Sequence, residues 1–158
     1  MRIGIISDSH GNSLAIDQAI AKAGQIDVWL HAGDYIQDAE YLAMVTDKEV
    51  INVAGNCDWP QRTVPEERLV ELAGHKIFLA HGHVYGVKRG SQALAQAALS
   101  QGADIAVYGH SHVAEHTQMG NCLVLNPGSV ANPRDGQGQS FMVLVLDKGD
   151  VKVEHHHL

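Results

Sequence analysis

The 158-residue chain carries a formal net charge of −7, with 45% hydrophobic and 18% charged residues. At that length one domain with a substantial core is expected, and the ordinary composition argues against a disordered or membrane-embedded chain. No Lys/Arg run is present, so the acidic balance counts against a protein that tracks the phosphates of duplex nucleic acid.

Residues 2–7 read as a buried strand, and 12–24 as a helix with Leu14, Ala15, Ile16, Ala19, Ile20 and Ala23 at helical spacing. Asn12 or Ser13 suits its N-cap and Gly24 its stop. A strand at 27–32, a short helix at 37–45 and a strand at 49–53 follow, an order that predicts a parallel sheet with helices packed on it. Residues 66–80 read as a hairpin turning at Ala73-Gly74. An alanine-rich helix at 90–101 precedes a strand at 104–108, and the last third reads as strands 113–118, 121–125, 139–146 and 150–154. Two mixed sheets sandwiched between helices account for this α/β mixture, in one domain over 1–154. The remaining residues, 155–158, read as a tail, solvated or tag-derived. The loop 126–138 is dense in Pro, Gly and Asn, and long loops of this kind are uncommon unless functional.

Cys57 and Cys122 form no CxxC or zinc-ribbon spacing. No apolar stretch approaches the ~20 residues that span a bilayer, so no membrane contact is expected. The first polar block follows the opening strand at once, and cleaving a leader there would remove it. A cytoplasmic protein with reduced thiols is the simplest expectation.

Chemistry concentrates in five short blocks: Asp8-Ser9-His10, Gly33-Asp34, Gly55-Asn56, His81-Gly82-His83 and Gly109-His110-Ser111-His112. Each follows a predicted strand by one or two residues, and strand ends of an open α/β sheet emerge on one edge, where ligands collect. Asp, Asn and His delivered together supply the mixed oxygen and nitrogen donors that a pair of divalent transition metals needs. Alone, an Asn or Asp after a strand is usually a turn residue or helix cap, and a lone His at a strand end a satisfied polar group. That bland reading would have to hold at every block at once.

The order D-x-H, G-D, G-N, H-x-H, G-H-x-H resembles the calcineurin-like metallophosphoesterase superfamily, over residues 3 to about 146. Gly55-Asn56-Cys57-Asp58 and Asn126-Pro127-Gly128-Ser129 resemble its small prokaryotic phosphodiesterase branch, related to a retromer scaffold subunit of eukaryotes. The resemblance implies a four-layer α-β-β-α sandwich. It also implies two divalent metal ions: Asp8, His10 and His112 on the first, Asn56, His81 and His110 on the second, and Asp34 bridging. Manganese is the first choice of metal, then nickel, iron or zinc. The implied reaction is in-line attack on a small phosphodiester by a metal-bridging hydroxide, with Asp34, Asn56 and His110 acting through the metals. Two carboxylates against two dications leave a charge of about +2, which favours a phosphate anion. A homo-oligomer is compatible with the family.

Many relatives place a histidine after the Gly-Asn pair as proton donor; here the position is Cys57, and a thiol of ordinary pKa is a weak donor beside an imidazolium. Asp58 and His83 are the other candidates for the general acid, whose help is worth roughly 10²–10⁴-fold. His83 stands two residues beyond the proposed ligand His81 and is expected to lie elsewhere, in a phosphate-facing or supporting place at most. Arg134 is a candidate contact to substrate phosphate, and Trp59-Pro60 a candidate rim over the site, loop anchor or oligomer contact. His31 is expected to pack or hydrogen-bond within the sheet. The purple-acid-phosphatase variant needs a tyrosinate three residues after the bridging aspartate, where Gln37 stands. The competing class is a non-catalytic metal-binding scaffold, whose signature would be lost ligands; none is lost.

Overall fold

The computed structural model describes residues 1–59 and 63–158. The first sheet contains β1 (Arg2–Ile6), β2 (Val28–His31), β3 (Glu49–Asn52), β9 (Ser140–Asp147) and β10 (Asp150–His157), in the order β10-β9-β1-β2-β3. The second contains β4 (Glu67–Leu72), β5 (His75–Ala80), β6 (Ile105–Val107), β7 (Glu115–Met119) and β8 (Cys122–Asn126), in the order β4-β5-β6-β8-β7. Both are mixed: β1-β2-β3 and β5-β6-β8 run parallel, with antiparallel strands outside them.

Alternation along each strand builds the layers. Ile3, Ile5, Val28 and Leu30 face Ile77, Leu79, Ile105 and Val107 in a core between the sheets. The opposite side of the first sheet presents Ile6, Trp29, Phe141 and Val143 to α1 (Ser13–Ala23) and α2 (Ile36–Thr46), which contribute Ile16, Ala19 and Leu42. The outer side of the second sheet presents Phe78, Ala106 and Val124 to α3 (Gln92–Ser100), through Leu94, Ala95 and Ala98. Strands buried on both faces read as unbroken apolar runs. The expected helix-sheet-sheet-helix sandwich is the observed fold.

Asn12 caps α1, its side chain accepting from the Ala15 N–H at 3.0 Å, and Gly24 ends it at φ 70°. The strand expected at 150–154 continues to His157, with His155, His156 and His157 paired to Met142, Phe141 and Ser140. The His156 ring stacks on Phe141, centroids 5.0 Å apart. These histidines are therefore edge-strand residues of the first sheet, held by ladder hydrogen bonds that composition does not announce. No helix among the described residues is long and apolar enough to cross a membrane.

Gly4 on β1 lies beside Trp29 on β2, whose ring is 1% exposed. A methyl group at Gly4 would come within 2.7 Å of the indole Cδ2, so Gly4→Ala overpacks this layer. Its expected cost is about 1–3 kcal/mol. Chemical denaturation should show a lower midpoint at unchanged slope, and an unchanged midpoint would mean that the ring yields freely.

Candidate functional site

The five parallel strands that precede the polar blocks end on one edge of the sandwich. β1 leads to Asp8 and His10, β2 to Asp34, β3 to Asn56, β5 to His81, and β6 to His110 and His112. Three overlapping groups of donor atoms close enough to hold a metal ion result: Asp8-His10-His112, Asp8-Asp34-His81 and His10-Asp34-Cys57. Asp34 Oδ1 lies 3.3 Å from His81 Nε2, while Oδ2 lies 3.7 Å from His10 Nε2. The carboxylate thus turns one oxygen to each side of the cluster. His110 Nδ1 is 3.2 Å from His81 Nε2, and Asn56 Oδ1 is 3.0 Å from the same atom. All seven expected ligands meet here.

The outward-facing atoms suit a cation. His81 Nδ1 donates to the Ala32 carbonyl (2.8 Å) and His112 Nδ1 to the Asn132 carbonyl (2.6 Å). With Nδ1 so engaged, each ring, once deprotonated, turns an Nε2 lone pair into the cluster, the second-sphere arrangement of metal-binding histidines. The His112 lone pair faces His10 Nε2 at 3.4 Å, and that of His81 faces the Asn56 amide oxygen. Asp8 Oδ1 is buried without a hydrogen-bond partner among the described residues, 3.2 Å from His112 Nε2. Lone pairs converging on an orphaned carboxylate oxygen call for positive charge between them. The residues fit divalent metal ions.

Strain and close approach hold the set. Asp8, His10, Asp34, His110 and His112 all adopt positive φ, between 47° and 67°. Such conformations cost of order 1–3 kcal/mol each outside glycine and persist where surroundings over-determine them. Gly33 and Gly55 admit the ligands sterically: a Cβ on Gly33 would sit 2.5 Å from His81 Nδ1, and one on Gly55 would sit 2.9 Å from Asp34 Cγ. Residues to which the sequence assigned no role complete the support. Ser7 Oγ donates to Asp8 Oδ2 (2.6 Å), and Ser129 Oγ donates to the Asp8 carbonyl (2.8 Å). Asn126 Nδ2 donates to the Gly109 carbonyl at 3.1 Å. Ser7 carries no signal beyond standing beside a ligand; Ser129 and Asn126 belong to the loop singled out by its composition.

Electrostatics tie the groups together. Burial pushes the Asp34 and Asp8 carboxyls up, but His81 for both, the Cys57 N–H for Asp34, and His112 and Ser7 for Asp8 more than offset it; both stay well below the usual carboxylate range. Burial lowers His81, yet Asp34 and Asp8 hold it above the ordinary imidazole value; Asp8 does the same for His112. Burial, then the His81 charge, pushes His110 down to about 4. In the metal-free protein the raised His81 and His112 contribute stability that is complete below pH 6.5 and lost as pH rises through their folded values. Asp8 and Asp34 contribute stability present above pH 3.8 and lost on acidification. His110, being lowered, acts in the opposite sense to His81 but only below 6.5. Melting of chelator-treated protein is therefore expected to fall as pH rises above 6.5, while the Tm gain on adding metal grows over the same interval as protons leave the ligands. A pH-independent metal shift would contradict this coupling.

The other candidates sort by position. Asp58 is buried, its two oxygens accepting from the Ile36 N–H (2.9 Å) and the Gly55 N–H (2.8 Å). It ties the start of α2 to the Gly55 turn and has no oxygen aimed at the cluster. Cys57 is exposed; burial of its thiol and the Asp34 carboxylate push it up to about 11. His83 is not on strand geometry at all: β5 ends at Ala80, Gly82 takes φ 104°, and a 3-10 turn at His83–Tyr85 sets its ring beside the cluster. It lies 5.5 Å from the His81 ring and 6.0 Å from His110. Arg134 is exposed, its N–H bonded to the His112 carbonyl at 2.9 Å. His31 is buried, as expected, between Ser9 Oγ (2.9 Å) and the Gly33 N–H (3.3 Å). Trp59 is exposed; Pro60 lies outside the described residues.

Comparison with known proteins agrees with this geometry. Residues 1–149 match the calcineurin-like phosphoesterase superfamily domain. The chain is 32% identical to the probable metallophosphoesterase YsnB of Bacillus subtilis, across 99% of this chain and 90% of that protein. It is 31% identical to the phosphodiesterase YfcE of Escherichia coli K12, across 93% of this chain and 89% of YfcE. The crystal structure of wild-type Vps29 from Entamoeba histolytica, complexed with zinc, superposes with a TM-score of 0.76 at 26% identity, across 99% of this chain and 98% of that one. Strand order, donor set and sequence match lead to one assignment: the chain belongs to the calcineurin-like phosphoesterase superfamily.

Proposed function

We propose that this metal-dependent phosphoric ester hydrolase is a phosphodiesterase acting on a small phosphodiester in the cytoplasm, with two divalent cations, manganese first among them. The observation that carries the reading is Asp34, whose two oxygens face separate groups of donors, His81 on one side and His10 on the other. Asp8, His10 and His112 would hold one cation, and Asn56, His81 and His110 the other, with Asp34 shared. Such a pair, when bound, supplies hydroxide near neutral pH and stabilises charge on the phosphoryl oxygens.

The chain's own residues position and protect that chemistry. The backbone carbonyls of Ala32 and Asn132 fix the tautomers of His81 and His112, keeping their lone pairs aimed inward. Ser7 restrains one oxygen of Asp8 and leaves the other free. Of the three candidate proton donors, His83 brings its ring to the edge of the cluster, and burial and the His81 charge lower the pKa of its imidazole, which favours its base form over its acid form. The exposed Arg134 guanidinium is a proposed contact to a phosphate oxygen.

The test is hydrolysis of bis(p-nitrophenyl) phosphate by metal-stripped protein with manganese restored, beside p-nitrophenyl phosphate. Metal-dependent turnover with diester above monoester is expected. No turnover with manganese, nickel, iron or zinc would favour the second reading, a metal-binding interaction scaffold, which the likeness to zinc-complexed Vps29 keeps open. Metal uptake alone does not separate the two.

A further inference from the structure

Beside Asn56 the surface opens into a cleft of about 270 Å³, lined by Ala54, Gly55, Asn56, Asp58, Trp59, Glu66 and His83. Three of these walls are unused by the metal centre. Trp59 leaves its indole 78% exposed, the most exposed large apolar side chain among the described residues. His83 has a buried Nδ1 without a hydrogen-bond partner among the described residues. Glu66 offers a carboxylate oxygen 3.7 Å from His83 Nε2, on a side chain 61% exposed. An exposed indole costs hydration free energy unless something covers it, and an orphaned ring nitrogen costs a hydrogen bond. A flat ring covers an indole, and ring N–H groups satisfy a carboxylate.

Charge narrows the occupant. A phosphate in this cleft would face the Glu66 carboxylate, whereas an uncharged heterocycle would not. The volume falls just under the ~300 Å³ at which drug-sized pockets begin, which suits one ring system rather than a polymer. A monoester has no second organic group to place; a diester does.

We propose that the Trp59–Glu66–His83 cleft is a subsite for one organic substituent of the phosphodiester, and that it selects a planar nitrogen heterocycle of the nucleobase kind, stacked on Trp59 with ring N–H groups directed to Glu66. The proposal rests on the phosphodiesterase reading for the placement of the phosphate at the metal centre. Trp59 and Glu66 are then specificity-determining residues, separate from the ligand set.

Ligands with a single substituent test it without ambiguity about which group occupies the cleft. Binding of thymidine 5′-monophosphate, phenyl phosphate and methyl phosphate to the zinc-loaded protein is measured by calorimetry, and by the emission of Trp59 against that of the buried Trp29. Thymidine 5′-monophosphate is expected to bind tightest and to quench Trp59. Trp59→Ala should weaken it about tenfold or more, in line with base–aromatic stacking, and leave methyl phosphate unchanged. Glu66→Ala should weaken the thymidylate but not phenyl phosphate, which has no N–H. Equal affinities for the three ligands would overturn the subsite, as would equal losses in Trp59→Ala or no binding at all. So would a concentration-dependent dimer that Trp59→Ala dissolves, which would assign the indole to a contact between copies. Binding as expected without any diester turnover would sink the phosphodiesterase reading and spare the subsite.

Discussion

Asp34→Asn is expected to reduce metal-dependent diester hydrolysis by about 10³-fold or more while leaving a folded protein. The magnitude follows from what one carboxylate supplies: an anionic oxygen to each of two cations, against the 10²–10³-fold cost of losing one preorganised donor in other hydrolases. The amide keeps the shape and one acceptor, so the Cys57 N–H, 3.0 Å from Oδ1, retains a partner. It loses the charge that holds His81 above the ordinary imidazole value, and with the oxygen kept toward Cys57 it sets an NH₂ group against His10. Two readouts separate a metal defect from a folding defect. Chelator-treated variant and parent should melt cooperatively, and the variant's Tm should respond far less to manganese. A variant with full metal-dependent turnover would remove Asp34 from the bridging position and with it the division of ligands proposed above.

The strained backbone around this carboxylate explains why the chain spends stability here. Positive φ at Asp8, His10, Asp34, His110 and His112 places strain in the very loops that carry the donors. The Nε2 atoms of His10 and His112 lie 3.4 Å apart, and His81 Nε2 lies 3.0 Å from the Asn56 amide oxygen. Metal binding relieves that convergence only in the folded chain, so part of the binding free energy appears as folding stability. The same linkage makes the metal-induced Tm shift a fair measure of how intact the donor set is.

Much of this was legible in the residue order because two periodicities coincide. Apolar runs at β1, β2, β5 and β6 predict parallel strands buried on both faces, and a polar block after each predicts donors on one edge; the strands form, and Asp8, His10, Asp34, His81 and His112 come together there with Asn56 and His110 beside His81. What stayed hidden depends on single dihedrals and through-space contacts. Gly82 at φ 104° and the 3-10 turn after it, which the residue order does not announce, place His83 beside the cluster. Asp58, read as a candidate acid, is engaged by the Gly55 N–H three residues before it and by the Ile36 N–H, which only the tertiary fold brings to it. The terminal histidines look like a solvated tail because their partners, Ser140 to Met142, lie a strand away and across a turn. Glu66 gives no sequence signal at all, since its neighbour His83 comes from another strand's end.

The second large effect isolates steric placement from ligand chemistry. Gly55 has φ −97° and ψ 179°, which alanine adopts without strain, so Gly55→Ala carries no backbone penalty. Its new methyl would nevertheless come 2.5 Å from the Asp34 backbone nitrogen and 2.9 Å from its Cγ, with Oδ1 closer still. Backbone cannot yield as a flexible side chain can, so the carboxylate or the Gly55 turn must shift. The Gly55 N–H also donates to Asp58 Oδ2, so a shifted turn pulls on the anchor that holds the start of α2. A misplacement of about 1 Å in a catalytic array costs on the order of 10²-fold, and overpacking costs about 1–3 kcal/mol. Gly74 is the matched control in the opposite sense: it has φ 82° and nothing within 4 Å of an added Cβ, so Gly74→Ala strains the β4–β5 turn but touches no donor. Gly55→Ala should therefore lose hydrolysis about 10²-fold together with most of its metal-induced Tm shift, while Gly74→Ala loses stability with full turnover in the surviving fold. Equal turnover in the two variants would mean that the Asp34 loop has slack, and that ligand placement at this edge does not depend on the missing side chain at Gly55.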